Sequence, residues 1–241
     1  QNHIIPLLGK LLLAEVTRAD IDRFKRAVKD GKTAKDLKMG PRRRVIVTGG
    51  PGVANKCLAL LSKMFNMAER WGLRPDASNP CRHVEKYTGK AHERFLSEME
   101  LSRLSEVLTA SENDGSESPY AIAALRLLIF TGARLSEILN LEWSQVDFQH
   151  AMLLLPDSKT GKKVVFLSAP ALEILSAIPR MENNPYVICG AVEGSHLVNL
   201  QKPWTHIRKT AGLEGVRIHD LRHSFASIGA AGGFSLPMIG K

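Results

Sequence analysis

The first third of the chain carries two stripes of apolar residues at the spacing of amphipathic helices. The segment Thr17–Asp20 resembles a capping box with aspartate in place of glutamate, and the first stripe follows it directly. The second stripe ends before Gly72, so the pattern predicts helices over residues 17–29 and 53–71. Residues 32–52 between them are rich in lysine, arginine, glycine and proline, which predicts a loop or a mobile basic segment.

The rest of the chain combines helix signals with two runs typical of strands. Ser97–Glu100 is a capping box, and Ser118–Pro119 marks the start of another helix. The runs 146–155 and 162–167 predict strands that are joined by a hairpin turn at 157–161. Helices are predicted over residues 97–110, 118–130, 168–178, 204–211 and 221–230.

This order of elements predicts a mainly α fold with a small antiparallel β-sheet. A length of 241 residues exceeds the usual size of one domain and favours two. The polar stretch 79–90 is typical of a linker, with the boundary near 87–94. We expect an all-α domain over residues 1–90 and a mixed α+β domain over residues 91–241, incomplete at its C-terminus.

The chain is basic, with 33 Lys and Arg against 24 Asp and Glu and a net charge of +9. A polyanionic partner is favoured, although ribosomal and membrane-surface proteins share this bias. The three widely spaced cysteines indicate neither a disulfide framework nor a metal site, so a reducing, cytoplasmic setting is expected. The apolar run 4–16 is interrupted by Pro6, Gly9 and Lys10, which argues against a signal peptide or a membrane span.

Three basic residues of the second predicted helix, Lys56, Lys63 and Arg70, are spaced by seven. At that spacing they lie close to one line along the helix, as a track for a phosphate backbone requires. The alternative is an ordinary solvated helix face, which is the commoner situation in proteins.

Arg134 and Arg222 are the best candidates for phosphate chemistry. Guanidinium forks supply directed hydrogen bonds to phosphoryl oxygens without titrating. Arg134 follows two small residues, and Glu137 could orient a neighbouring cationic group, although a simple ion pair between the two is an alternative. His219 lies three residues before Arg222 and therefore on the same helix face. His223, one residue past Arg222, lies on a different face from Arg222 and is expected to be packed or exposed.

A zinc site and a nucleotide-binding loop match the sequence less well than a phosphate site does. The spacing of His219 and His223 could suit zinc, but Asp220 stands where the metalloprotease pattern needs glutamate, and no third ligand is evident. The stretch 44–52 looks like a strand entering a glycine loop, as in nucleotide-binding proteins. Asn55 stands where the dinucleotide-binding pattern needs glycine, and the lysine of a phosphate-binding loop does not follow the glycines directly.

Three motifs in order resemble the catalytic domain of tyrosine recombinases, specifically phage-type integrases. They are Thr131–Trp143, Ser158–Gly161 and His219–His223, and the resemblance extends from about residue 93 to the end. Residues 1–90 resemble the helical core-binding domain of that family more loosely. The resemblance implies that the two domains clamp duplex DNA, which fits the positive charge.

The resemblance also implies a mechanism. A tyrosine attacks the scissile phosphate and forms a 3′-phosphotyrosyl link, without a metal or a nucleotide cofactor. Arg134 and Arg222 would bind the non-bridging oxygens, and His219 would hydrogen-bond the phosphate and help to deprotonate the tyrosine. Lys159, at the hairpin turn, would be the general acid for the leaving 5′-oxygen. Lys162 and Lys163 are rivals for that role and candidate DNA contacts.

The nucleophile of the family pattern does not match any residue of this chain. Tyr87, Tyr120 and Tyr186 all precede His219, and Lys241 comes before the place of the second His or Trp and of the tyrosine. As it stands, the chain is therefore expected to bind DNA without cleaving it.

The expected partner is double-stranded DNA at a specific attachment site, bound by a homo-oligomer, namely a tetramer, in the bacterial cytoplasm. An accessory DNA-bending or directionality protein is a further expected partner, and no membrane is expected. Two other functions stay open: a non-catalytic DNA-binding remnant or regulator on the same fold, and strand relaxation of the type IB topoisomerase kind.

Overall fold

The computed structural model describes residues 2–41, 43–89, 94–158 and 161–231. The chain divides into two compact units, Gln1–Ala91 and His92–Lys241. Helices predominate in both, and the strands form small antiparallel sheets. The prediction of a mainly α fold with a small antiparallel β-sheet is therefore confirmed.

The first unit packs one long helix against a shorter one. Its elements are α1 (Ile4–Leu8), α2 (Arg18–Lys29), β1 (Lys35–Gly40), β2 (Arg43–Val47) and α3 (Pro51–Arg70). The capping box forms as expected, because the Thr17 N–H donates to Asp20 Oδ2 at 2.9 Å and α2 begins at the next residue. The predicted apolar stripe of α2 packs against α3 in the core of the unit. The stripe predicted for α3 is wrong at Leu60, Met64 and Trp71, which are exposed. The buried members of the core include Ile21, Phe24, Val28, Leu58, Leu61 and Phe65.

The prediction of a loop over residues 32–52 is wrong between Lys35 and Val47, where β1 and β2 form an antiparallel hairpin. Leu37 is paired with Val45 in the middle of it. The first unit is therefore not all-α. Three consecutive β-branched residues at 45–47 favour the second strand, and backbone pairing with it holds the less favourable Lys- and Asp-containing first strand extended.

The second unit surrounds a buried helix with further helices and a three-stranded sheet. The elements are α4 (Glu98–Asn113), α5 (Pro119–Thr131), α6 (Leu135–Leu139), β3 (Val146–Asp147), β4 (Met152–Ser158), β5 (Gly161–Phe166), α7 (Ala169–Ala177), α8 (Gln201–Thr210) and α9 (Ile218–Ala231). α5 is predominantly apolar and packs against α7 and α9, as expected for a helix inside a core. The sheet has the order β3-β4-β5 with antiparallel neighbours.

The run 146–155, predicted as one strand, is two strands joined by a tight turn. The His150 N–H donates to Asp147 Oδ1 at 2.9 Å, and Ala151 adopts a left-handed φ of +52°. This turn folds β4 back on β3, with Val146 opposite Leu153. None of the helices that the structure describes is long and apolar enough to span a membrane.

Candidate active site

A glycine turn at the end of α5 brings three elements of the second unit together. Gly132 adopts a left-handed φ of +59° and ends the helix. A Cβ at this position would lie 2.3 Å from Cδ1 of Phe225, which belongs to α9. Only glycine therefore allows α9 to approach the start of α6 this closely.

Glu137 on α6 gathers two cationic side chains. Its Oε2 accepts hydrogen bonds from the Arg134 backbone N–H at 2.7 Å and from Lys163 Nζ at 2.9 Å. Its Oε1 accepts from Arg134 Nη1 at 2.8 Å. Burial raises the pKa of Glu137, but the hydrogen bonds from Arg134 and the Lys163 ammonium outweigh burial and hold this pKa below its usual value. Glu137 is therefore an ionised carboxylate that fixes a guanidinium and an ammonium in place.

Arg222 on α9 joins the same group. Its Nη1 donates to the Gly132 carbonyl oxygen, across the glycine turn. Burial lowers the pKa of Arg222, the charge of Glu137 opposes this, and the charge of Arg134 adds to it. Guanidinium remains protonated in proteins despite such a shift. We call Arg134, Lys163 and Arg222 around Glu137 the cationic cluster; three positive charges share one carboxylate there, so it has an excess of positive charge.

His219 lies in the first turn of α9, three residues before Arg222. Burial is the largest cause that lowers its pKa, and the charges of His223, Arg222 and Arg217 lower it further, while Asp220 opposes them. Since an unperturbed histidine titrates near pH 6.5, His219 is neutral at pH 7. The His223 ring contacts it edge to face with centroids 4.7 Å apart.

The first turn of α9 is held firmly by Asp220, which is fully buried. Its Oδ2 accepts from the Arg217 backbone N–H at 2.8 Å, and its Oδ1 accepts from Arg217 Nη2 at 2.7 Å. Ser224 Oγ donates to the Asp220 carbonyl and accepts from the Leu96 N–H, each at 2.9 Å. The aspartate that stands where a zinc protease needs glutamate is thus part of the helix framework.

The sequence-derived site residues fall into three groups. The structure brings Arg134, Arg222 and Lys163 together, with His219 on the same helix as Arg222. Lys159 lies outside the described residues, as does the side chain of Lys162. The basic residues of α3 are in the first unit, where all three are exposed: Lys56, Lys63 and Arg70.

The sequence predicted that Glu137 could orient a neighbouring cationic group. It did not indicate that Glu137 binds Lys163. The two lie 26 positions apart, on α6 and β5. The only signal was the three-residue spacing from Arg134, which indicates a local pair and not the lysine. Among the described residues, no group of three or more His, Cys, Asp or Glu side chains could hold a metal ion.

The sequence of the second unit matches a known protein family. The Phage integrase family matches residues 94–241. The shufflon-specific DNA recombinase of Escherichia coli is 29% identical over 187 residues, which cover 75% of this chain and 45% of that protein. The tyrosine recombinase XerD of Mycobacterium leprae is 31% identical over 157 residues, covering 56% and 49% respectively. The chain thus spans about half the length of these two curated relatives.

Solved structures share the fold at low sequence identity. A lambda integrase dimer bound to a COC' core site matches with a TM-score of 0.70 and 19% identity, over 96% of this chain and 80% of that one. The integrase of transposon Tn1549 in complex with circular intermediate DNA matches with a TM-score of 0.63 and 16% identity, over 96% and 78%. Because the matched family region covers more than half of its residues, this chain belongs to the phage integrase family.

Proposed function

We propose that this chain supplies the DNA-binding and phosphate-activating parts of a site-specific recombinase that cleaves and rejoins DNA through a 3′-phosphotyrosyl link. The observation that carries the proposal is the cationic cluster with His219 beside it on α9. One relative, the shufflon-specific DNA recombinase of Escherichia coli, has a name that agrees with this proposal.

The two guanidinium groups would bind the non-bridging oxygens of the scissile phosphate. Arg134 is oriented by Glu137, and Arg222 by the Gly132 carbonyl, so both forks are fixed before DNA arrives. Donors that are already oriented need no rearrangement when negative charge builds up in the transition state. The excess positive charge of the cluster favours that state over the free ester.

His219 would handle the proton of the attacking hydroxyl. A neutral imidazole can accept a proton at pH 7, and the lowered pKa of His219 keeps it in that form. The proposal assigns the attack to a tyrosine; Tyr87, Tyr120 and Tyr186 all precede the motif that the nucleophile follows in the family pattern, so none of them is assigned this role.

Lys159 remains our proposed general acid for the leaving 5′-oxygen. Lys163 is bound to Glu137 and only 14% exposed, so it is better placed to add positive charge than to reach a leaving group. Lys162 and the track Lys56, Lys63 and Arg70 would contact the DNA backbone.

The proposed partner is duplex DNA at an attachment site, bound by a homotetramer. One fold neighbour is a lambda integrase tetramer bound to a Holliday junction, matching with a TM-score of 0.60. An accessory bending or directionality protein belongs to the proposal as well, and we place the activity in the bacterial cytoplasm.

A suicide substrate tests the proposal with the full-length gene product. The attachment site is first recovered by selecting bound duplexes from a random pool. A nick is then placed next to the scissile phosphate, so that the cleaved fragment diffuses away and the covalent intermediate accumulates. We expect a protein–DNA adduct that survives denaturation and is lost in Arg222→Ala. Specific binding without an adduct would indicate a regulator, and an adduct unaffected by Arg222→Ala would contradict the mechanism.

A further inference from the structure

The β1–β2 hairpin of the first unit concentrates the positive charge of the chain. Residues 32–47 contain six basic side chains and one acidic one, a net charge of +5 against +9 for the whole chain. The single carboxylate is already matched, because Asp36 Oδ1 accepts from Arg44 Nε at 2.7 Å. Four other basic residues of the described part of this segment make no ion pair with a described residue. They are Lys32, Lys35, Lys38 and Arg43.

The hairpin also exposes apolar side chains. Leu37, Met39 and Ile46 are 45%, 60% and 58% exposed, respectively, and of its described residues only Val47, at the base, is buried. The apolar side chains therefore lie on the hairpin surface instead of in the core of the unit. This surface combines positively charged side chains with exposed apolar side chains. Such a surface suits a partner with a negatively charged backbone and apolar groups at its edges.

The base of the hairpin is fixed to the end of α2. The Gly50 N–H donates to the carbonyls of Val28 at 3.2 Å and Lys29 at 3.0 Å. Gly49 packs so closely that a Cβ there would lie 2.6 Å from the Gly31 Cα. An isolated two-stranded hairpin is only marginally stable in water, and this anchoring compensates for that. The hairpin therefore projects as a supported ribbon.

The dimensions of the ribbon match one groove of DNA. Paired strands lie about 4.8 Å apart, and the six residues of β1 extend over roughly 20 Å at about 3.3 Å per residue. The major groove of B-DNA, about 12 Å wide and 8.5 Å deep, admits a two-stranded ribbon, whereas the minor groove, about 6 Å wide, admits one only when the duplex is deformed. Side chains alternate between the faces of a strand, so Lys35 and Lys38 lie on opposite faces of the ribbon.

We propose that the β1–β2 hairpin is a DNA-binding ribbon that enters the major groove, with Lys35, Lys38 and Arg43 on phosphates and exposed apolar side chains against thymine methyl groups. This inference rests on the proposed function, since it takes duplex DNA as the partner. It adds a contact element that the motifs of the second unit do not contain.

Salt dependence of DNA binding tests the charge contacts. In fluorescence-anisotropy titrations, each lost phosphate contact lowers the slope of log affinity against log salt by about 0.9. The triple variant Lys35→Ala/Lys38→Ala/Arg43→Ala should therefore lower the slope by about 2.7. Thermal unfolding by circular dichroism should be unchanged, because all three side chains are exposed.

A charge-matched control removes three exposed basic residues of α4 and α8 instead: Arg103→Ala/Lys202→Ala/Lys209→Ala. The slope for this variant should stay at the wild-type value. An unchanged slope for the hairpin variant would overturn the proposal. An equal decrease in both variants would do the same, because it would reflect overall charge and not a hairpin contact.

Methylation protection tests which groove is occupied. Dimethyl sulfate modifies guanine N7 in the major groove and adenine N3 in the minor groove. The wild-type protein should protect guanines that the hairpin variant leaves reactive, while adenine protection stays equal. Hairpin-dependent protection of adenine N3 would contradict major-groove entry. So would equal hairpin-dependent affinity for duplex RNA, since the deep, narrow major groove of RNA does not admit a ribbon.

The suicide-substrate assay separates this inference from the proposed function. A covalent adduct with an unchanged salt slope would defeat the ribbon and leave recombination intact. A reduced slope and altered protection without any adduct from the full-length protein would support the ribbon and defeat the recombinase mechanism.

Discussion

The cationic cluster of the second unit and the β1–β2 hairpin of the first unit both concentrate positive charge, but they hold it differently. In the cluster, Arg134 and Lys163 are bound to Glu137 and Arg222 to a carbonyl. In the hairpin, Lys35 and Lys38 are exposed and make no ion pair with any described residue. Fixed cations suit a transition state, because their orientation is set beforehand, whereas exposed cations suit affinity for a backbone.

The largest effect should come from changing the fork geometry of the cluster while keeping its charge. Arg222→Lys keeps the positive charge but loses the planar fork that contacts Gly132 and a phosphate. Cleavage of the suicide substrate by the full-length protein should fall by about 10² to 10³, as for the loss of one oxyanion donor. DNA affinity should change little.

Arg208→Lys is the matched control for that variant. Arg208 Nη1 also donates to a carbonyl, that of Val216 at 3.1 Å, but on α8. Cleavage by this variant should stay near the wild-type rate. Equal losses in both variants would mean that Arg222 acts through the fold alone and not on the phosphate.

A smaller effect is expected from changing Gly132, the backbone turn that positions the cationic cluster. Gly132→Ala forces an alanine into the left-handed region and against Phe225, so the free energy of unfolding should fall by about 2–4 kcal/mol. Gly72→Ala isolates the backbone cost, because Gly72 has a similar φ of +68° and no atom within 4 Å of its added Cβ. Denaturant melts should show a clearly larger loss for Gly132→Ala; equal losses would show that the contact with Phe225 costs nothing.

Neutralising Glu137 should loosen the cluster without removing a cation. Glu137→Gln keeps the size of the side chain but weakens its bonds to Arg134 and Lys163, at about 1–3 kcal/mol of stability. The cleavage rate should fall roughly tenfold while DNA affinity holds or rises, because one negative charge is removed. A parallel fall in affinity and rate would contradict a role in orienting the guanidinium.

The smallest expected effect is the pH dependence of the difference in stability between wild type and Glu137→Gln. The fold holds the pKa of Glu137 below its unfolded value of about 4.3, so the carboxylate stabilises the protein above that pH. This contribution is lost as pH falls through the lower folded pKa. The difference in unfolding free energy between wild type and Glu137→Gln should be constant from about pH 5.5 to 7.5 and shrink below about pH 4. A difference that grows on acidification would contradict the assignment.

The sequence predicted the local parts of the molecule well. The capping box at Thr17 and the apolar stripe of α2 are encoded by neighbouring residues, and they formed as expected. The stripe predicted for α3 formed only in part, because Leu60, Met64 and Trp71 are exposed. The helical relation of His219 to Arg222 is equally local. The approach of Arg222 to Gly132 spans 90 positions, and the family resemblance, not periodicity, indicated that Arg134 and Arg222 belong to one site.

Two features escaped prediction for physical reasons. β1 contains Lys35, Asp36 and Lys38, residues that disfavour strands, so only pairing with β2 holds it extended, and composition alone indicated a loop. The bond from Lys163 to Glu137 depends on how β5 packs beside α6, which no short spacing encodes. Both cases involve a partner that is distant in sequence.

The most direct test measures the covalent-adduct rate of full-length protein on the suicide substrate at saturating protein concentration. Under this condition, differences in affinity disappear and only the chemical step remains. The account predicts a rate reduced by about 10² to 10³ in Arg222→Lys and a near wild-type rate in Lys35→Ala/Lys38→Ala/Arg43→Ala. A normal rate in Arg222→Lys, or an equal loss in both variants, would contradict the account, in which the fixed cations act on the transition state and the exposed cations contribute to DNA affinity.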